Sequence, residues 1–131
     1  MAQNPHIGNS QSVIMRKYKI IASLKNINQA SDRLEINYSV LDSESVGALK
    51  QTIANVLKGF DDIEEISEEK RKYIKTLKKQ NMGYKVDIDY AKLDENNENL
   101  LLAYTLKTSI QKTLSERKAI IYRDMTLNSN Y

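Results

Sequence analysis

The stretch Leu100-Leu101-Leu102-Ala103-Tyr104-Thr105-Leu106 decides how the chain is read. Leu100, Leu102, Tyr104 and Leu106 fall on every second position. Side chains alternate across a strand with period two, so this spacing predicts a strand with one buried face. Working back, Tyr84, Val86, Ile88 and Tyr90 alternate in the same way, and Asp94-Glu95-Asn96-Asn97-Glu98 is a polar turn between the two runs. Two alternating runs about a short polar loop predict an antiparallel hairpin.

A similar pattern lies 66 residues earlier. Tyr18, Ile20, Ala22 and Leu24 alternate, Asn28-Gln29-Ala30-Ser31-Asp32 supplies a turn, and Leu34, Ile36, Tyr38 and Val40 alternate again. The 66-residue offset sets Tyr18-Lys19-Ile20 on Tyr84-Lys85-Val86, Leu34 on Leu100, Ile36 on Leu102, Tyr38 on Tyr104 and Val40 on Leu106. An offset of 65 then sets Leu49 on Leu114, Val56 on Ile121 and Phe60 on Met125. Identities are few, and two half-buried hairpins also resemble each other without common descent. One ββα unit cannot cover its own sheet face, whereas two can share one. The expected fold is therefore α+β: a four-stranded antiparallel sheet from two β-hairpins, in pseudo-duplicated ββα units at 17–60 and 84–125, with helices packed on one face. Whether both hairpins share one sheet stays open.

Between the hairpins the period changes. Val46, Leu49, Ile53, Val56 and Phe60 recur at three- and four-residue spacing, so 44–59 reads as an amphipathic helix capped by Asp42 or Ser43 and stopped near Gly59. The segment 61–82 reads as a second helix that links the two units. Asp61, Asp62, Glu64, Glu65, Glu68 and Glu69 precede Lys70, Arg71, Lys72, Lys75, Lys78 and Lys79, an order that complements the helix macrodipole. Ser67 is an alternative cap, Ile66, Tyr73, Ile74 and Leu77 form the buried stripe, and Gly83 ends the helix. Ile110, Leu114, Ile121 and Met125 share one helical face, although 119–125 also suits a short strand. Residues 1–14 are polar and aperiodic and read as an N-terminal arm outside a single domain at 15–127.

At 131 residues, 40% hydrophobic and 28% charged, the chain suits one folded domain. It has no Cys, which removes disulfides, thiolate catalysis, zinc–thiolate sites and iron–sulfur clusters together. Leu100-Leu101-Leu102-Ala103 is far too short an apolar run to span a bilayer, and Met1-Ala2-Gln3-Asn4-Pro5-His6 does not read as a signal peptide, so a cytoplasmic location and no membrane partner are expected. Twenty Lys and Arg against seventeen Asp and Glu give a net charge of +3, which permits contact with nucleic acid without arguing for it.

Candidate chemistry is sparse. His6 is the only His and sits in the arm, where nothing holds it as a base. Asp87 and Asp89 share a strand face near Asp94, Glu95 and Glu98, an arrangement a hard cation can use, but a solvated strand and turn explain it better. Gly8, Gly47, Gly59 and Gly83 are isolated, so no nucleotide fingerprint exists. Tyr18, Tyr38, Tyr84, Tyr90 and Tyr104 fall on inward strand positions and read as core, not as a stacking platform. No catalytic residue, cofactor or metal is expected.

What remains is surface. Arg71, Lys72, Lys75, Lys78 and Lys79 form a cationic face that suits a phosphate backbone or a partner protein. The outer sheet face is polar apart from Ile21, Leu101 and Ala103. With Pro5, His6 and Ile7 of the arm, Ile21 and Leu101 are the candidate subunit contacts. The expected function is non-enzymatic. The first reading is a structural or assembly protein that self-associates by strand addition or through its arm, as a homo-oligomer or with an assembly partner. Size and composition suggest a phage virion or another mobile-element component. The alternatives are a small nucleic-acid-binding or regulatory protein using the 61–82 helix, and an inhibitor or immunity-type protein binding one partner.

Overall fold

The computed structural model describes residues 14–19, 21–22, 24, 27–29, 32–64, 66–93 and 100–129. Among them 76% are helical. Residues 14–19 are helical, as are Ile21, Ala22 and Leu24 (together α1). Two short strands follow, β1 at Asn28–Gln29 and β2 at Arg33–Asn37. A 3-10 turn at Tyr38–Val40 leads into α2, Ser43–Gly59, and then α3, Glu68–Met82. Strand β3 is Lys85–Asp89, α4 is a single turn at Tyr90–Leu93, and α5 runs from Leu100 to Ser129.

The expected four-stranded sheet is not what forms. The five-residue strands β2 and β3 pair antiparallel, with Leu34 opposite Ile88 and Ile36 opposite Val86. Strand β1 adds two residues along the other side of β2. Helices and an antiparallel sheet are both present, but the two expected hairpins are not. Strands β2 and β3 alternate as read over Leu34, Ile36, Val86 and Ile88, which are buried, but the run expected to continue to Val40 ends at Asn37, where the 3-10 turn begins and leaves Val40 exposed. They pair with one another across α2 and α3, not with the runs 18–24 and 100–106.

The two missing strands are helical, and the reason lies in their flanks. In 18–24, Tyr18 is exposed and Ala22 is exposed, whereas Ile21 and Leu24 are buried three residues apart. In 100–106, Tyr104 is 63% exposed, whereas Leu102 and Leu106 are buried. These two continue the series Leu106, Ile110, Leu114 at four-residue spacing, so the leucine-rich stretch is the first two turns of α5. The alternation was incidental; Leu101 and Ala103 break it with apolar residues at positions a strand would give to water. Residues 119–125 also belong to α5, which settles that alternative as helix. The 66-residue offset therefore lays a strand on a helix, and the pseudo-duplication falls with it.

Helix α2 forms as expected, and the linking helix expected over 61–82 begins only at Glu68, after the Ser67 cap. Asp42 caps α2 by accepting from the Ser45 N–H at 3.1 Å, and Ser45, Leu49, Ile53 and Leu57 turn inward. Helix α2 packs along α5 in antiparallel fashion. The hydroxyls of Thr52 and Thr113 share a hydrogen bond at 2.7 Å, and Arg117 reaches back to the start of α2. There its Nε donates to Ser45 Oγ at 3.1 Å, and its Nη2 lies 3.4 Å from both Asp42 and Glu44. One hydrophobic cluster runs from Ile21 in α1 through the inner sheet face, α2 and α3 to Met125 in α5.

Candidate functional site

Helix α3 decides which charged groups reach solvent. Ser67 caps it, accepting from the Lys70 N–H at 3.3 Å, and Glu68 and Glu69 fill its first turn. Ile74, Leu77 and Asn81 face inward. Asn81 accepts from the buried Tyr38 hydroxyl at 2.5 Å and donates to the Lys50 carbonyl at 3.0 Å. Two further side chains dock α3 on the sheet. The Tyr73 hydroxyl accepts from the Asp89 N–H at 2.7 Å, and Gln80 Oε1 accepts from the Asp87 N–H at 2.9 Å.

Those two bonds matter beyond docking. In the β2–β3 ladder the N–H groups of Asp87 and Asp89 point away from β2, toward the open edge. A free sheet edge invites strand addition, and natural proteins block it. Here side chains of α3 occupy the edge donors, while on the far side β1 is only two residues long. On the β3 side, strand addition, the expected route of self-association, would have to displace these two bonds.

The fixed rotation of α3 divides the five expected cationic residues into two groups. Arg71 donates to the carbonyl oxygens of Asp61 and Ile63, and Lys78 Nζ donates to Asp61 Oδ1 at 2.7 Å. Both hold the 60–64 turn against the helix and are committed. Lys72, Lys75 and Lys79 are exposed and lie at three- and four-residue steps, which makes one stripe along the outer face. Lys72 also lines a hollow of about 310 Å³ with Glu69, Tyr73, Thr76 and Lys92. Lys92 Nζ sits 5.2 Å from the Tyr73 ring centroid, a cation–π distance.

At the far end of the stripe the helix stops at Gly83 and the chain turns into β3. Met82 is 82% exposed and Tyr84 71% exposed. The Tyr38 N–H donates to the Tyr84 carbonyl at 2.7 Å, which brings the 3-10 turn and its exposed Val40 to the same end of the sheet. Lys79 and Lys85 are exposed beside this tip, and Lys50 Nζ lies 5.0 Å from the Tyr38 ring centroid. Of the acids close by in sequence, Asp42 and Glu44 share Arg117, and Glu35 and Asp87 share Arg33.

Of the other expected sites, Asp87 accepts two bonds from Arg33, Nε at 2.8 Å and Nη2 at 2.7 Å. That bond holds its carboxyl below the usual value, with Coulombic attraction adding and slight burial opposing. A guanidinium thus stands where a cation would. Among the described residues, no group of three or more His, Cys, Asp or Glu is placed to hold a metal ion. Nor is any helix long and apolar enough to cross a membrane. Asp94, Glu95 and Glu98 lie outside the described residues, as do Pro5, His6 and Ile7. Of the remaining expected subunit contacts, Ile21 is 3% exposed and belongs to the core, and Leu101 belongs to α5 and not to a sheet face.

The tyrosines correct the sequence reading most. Tyr38 and Tyr90 are buried as expected, but Tyr18, Tyr84 and Tyr104 are exposed. Tyr84 is the residue the sequence reading missed. Its signal was position: it follows the helix stop at Gly83 directly, before the ladder has begun to cover side chains.

Comparison with protein-family models gives no match, and comparisons with curated proteins and with solved structures give no significant similarity.

Proposed function

We propose that this chain is a small nucleic-acid-binding protein whose phosphate contacts come from the outer stripe of α3. The observation that carries this reading is the separation of Lys72, Lys75 and Lys79 from the committed cations. Arg71 and Lys78 fold the chain, whereas Lys75 and Lys79 have no acidic partner among the described residues. A row of solvent-facing cations on a rigid helix attracts a phosphate backbone without base specificity. The length of the stripe is also suitable. From Lys72 to Met82 the helix rises about 15 Å, the span of about four stacked nucleotides.

The test is charge reversal. The double variant Lys75→Glu/Lys79→Glu should keep the wild-type circular dichroism spectrum, because both side chains are exposed. It should lose binding to a fluorescein-labelled oligonucleotide in an anisotropy titration. Unchanged affinity would remove α3 as the interface.

Self-association is the second reading, in the form of an assembly subunit. The exposed Val40, Met82 and Tyr84 favour it, since clustered apolar residues at a surface often mark a contact with protein. Size-exclusion chromatography with light scattering decides it, and a strict monomer would exclude it.

A further inference from the structure

The tip beyond the lysine stripe carries a more specific statement. We propose that Tyr84, flanked by Met82, is a stacking platform for an unpaired base, so that the ligand is a single strand and not a duplex. This rests on the phosphate-binding role of α3 and names the class of nucleic acid that role would serve.

Three observations support it. First, Tyr84 is the aromatic side chain placed where the stripe ends: it is 71% exposed, two residues beyond the 82%-exposed Met82. Its backbone is anchored, because its carbonyl accepts from the Tyr38 N–H and the ladder begins at the next residue. An exposed ring on an anchored backbone loses little freedom on binding, whereas an exposed ring on a loose loop loses more. Second, exposed lysines flank the tip. Lys79 and Lys85 are exposed there, Lys50 sits over the Tyr38 ring, and Asp42, Glu44 and Asp87 are each engaged by an arginine. A base stacked on Tyr84 would therefore have its flanking phosphates among lysines. Third, the same charges disfavour the obvious competitor. A two-fold contact sets one patch against its own copy, which here would bring Lys79 and Lys85 toward their equivalents.

Single strands follow from the chemistry of stacking. A base can lie on a tyrosine ring only if its face is free, as it is in single strands, loops and ends. The straight α3 stripe offers phosphate contacts to either form, so Tyr84 is the element that discriminates.

The experiment is a set of anisotropy titrations of the full chain against three labelled probes: a twelve-residue oligothymidylate, the same backbone with abasic sites, and a twelve-base-pair duplex. Stacking of one base is worth about 1–3 kcal/mol, so the abasic strand should bind about 5- to 150-fold more weakly than the thymidylate. Tyr84→Leu should weaken thymidylate binding by a similar factor and leave the abasic strand unaffected. Tyr84→Phe should retain wild-type binding, and Tyr84→Trp should report the contact by quenched fluorescence, since the chain has no other Trp. Equal binding of all three probes, with Tyr84→Leu unchanged, would overturn the stacking role and leave the α3 reading standing. No binding of any probe would overturn both. A dimer that Tyr84→Leu dissociates, with probe affinity unaltered, would assign the tip to a second copy and also overturn the proposal.

Discussion

Asn81→Leu tests the buried hydrogen bond that ties the 3-10 turn to α3. Tyr38 and Asn81 are both buried, and the Tyr38 hydroxyl donates to Asn81 Oδ1 at 2.5 Å. Leucine has nearly the shape of asparagine but offers no acceptor. The Tyr38 proton would be left unpaired, and a buried donor in that state costs about 1–3 kcal/mol. The Lys50 carbonyl also loses the Asn81 amide, but it lies within α2 and keeps its place in the helical ladder, so its share is small. Urea slopes for small proteins are about 1–3 kcal/mol per molar, so a loss of ~2 kcal/mol moves the midpoint by about 1 M. Tyr38→Phe alone strands the Asn81 acceptor and should cost a similar amount. The double variant Tyr38→Phe/Asn81→Leu removes both partners and should recover most of the loss, since replacing a bonded pair by apolar groups of like shape is nearly neutral. Equilibrium urea denaturation of the four proteins closes the cycle. If the two single losses simply add in the double variant, the bond is not what holds these residues and the argument fails.

The remaining expectations follow from burial and from the sheet edge. Burial raises Tyr38 and pushes Tyr90 up to about 12 from an ordinary 10.0, so these rings stay neutral in the folded chain after the unfolded chain has begun to ionise. From neutral pH stability should therefore be level to about pH 9 and fall as pH rises beyond 10; Tyr90→Phe should reduce that fall, and a urea midpoint that climbs between pH 10 and 11.5 would contradict it. Lys70 is 1% exposed and its Nζ has no hydrogen-bond partner among the described residues, so Lys70→Met, which keeps the stem, should raise stability by about 1–3 kcal/mol; an unchanged or lower thermal midpoint would count against this. Tyr73→Phe/Gln80→Leu would uncover the N–H groups of Asp87 and Asp89, and light scattering should then show association that grows with concentration, where a variant as monomeric as the parent would show that these bonds do not guard the edge.

Much of the fold was legible where pattern and neighbours agree. Strands β2 and β3 alternate strictly, with polar residues at each outward position, and both form. Helices α2 and α3 carry caps, stops and an apolar stripe that all point the same way; α2 lies close to its expected bounds, whereas α3 starts at Glu68 behind the Ser67 cap and not at 61. The error came from 18–24 and 100–106, where period two and period 3.6 fit the same residues. Ile21 and Ala103 were the warning. As outward strand residues they were anomalous; as helix residues they are 3% and 4% exposed and part of the core. The pairing of β2 with β3 was not readable, because nothing local marks two strands separated by two helices as partners. At the site, the stripe of lysines was visible in the spacing of α3. That Arg71 and Lys78 are spent on the 60–64 turn was not, since both bonds depend on how that turn folds back. Tyr84 was misplaced for a simpler reason: alternation assigns it to the inner face, but it lies one residue outside the ladder.

The most direct test of the central claim is the salt dependence of oligothymidylate binding. Each phosphate neutralised on a single strand contributes about −0.7 to the slope of log affinity against log salt. Lys72, Lys75, Lys79 and Lys85, three or four of them engaged at once, predict a slope of about −2 to −3, or about a 20- to 50-fold loss between 50 and 200 mM salt. Lys75→Glu/Lys79→Glu should flatten that slope by at least one unit. Binding that ignores salt, or a slope the double variant leaves unchanged, would contradict the assignment of the α3 stripe to a phosphate backbone.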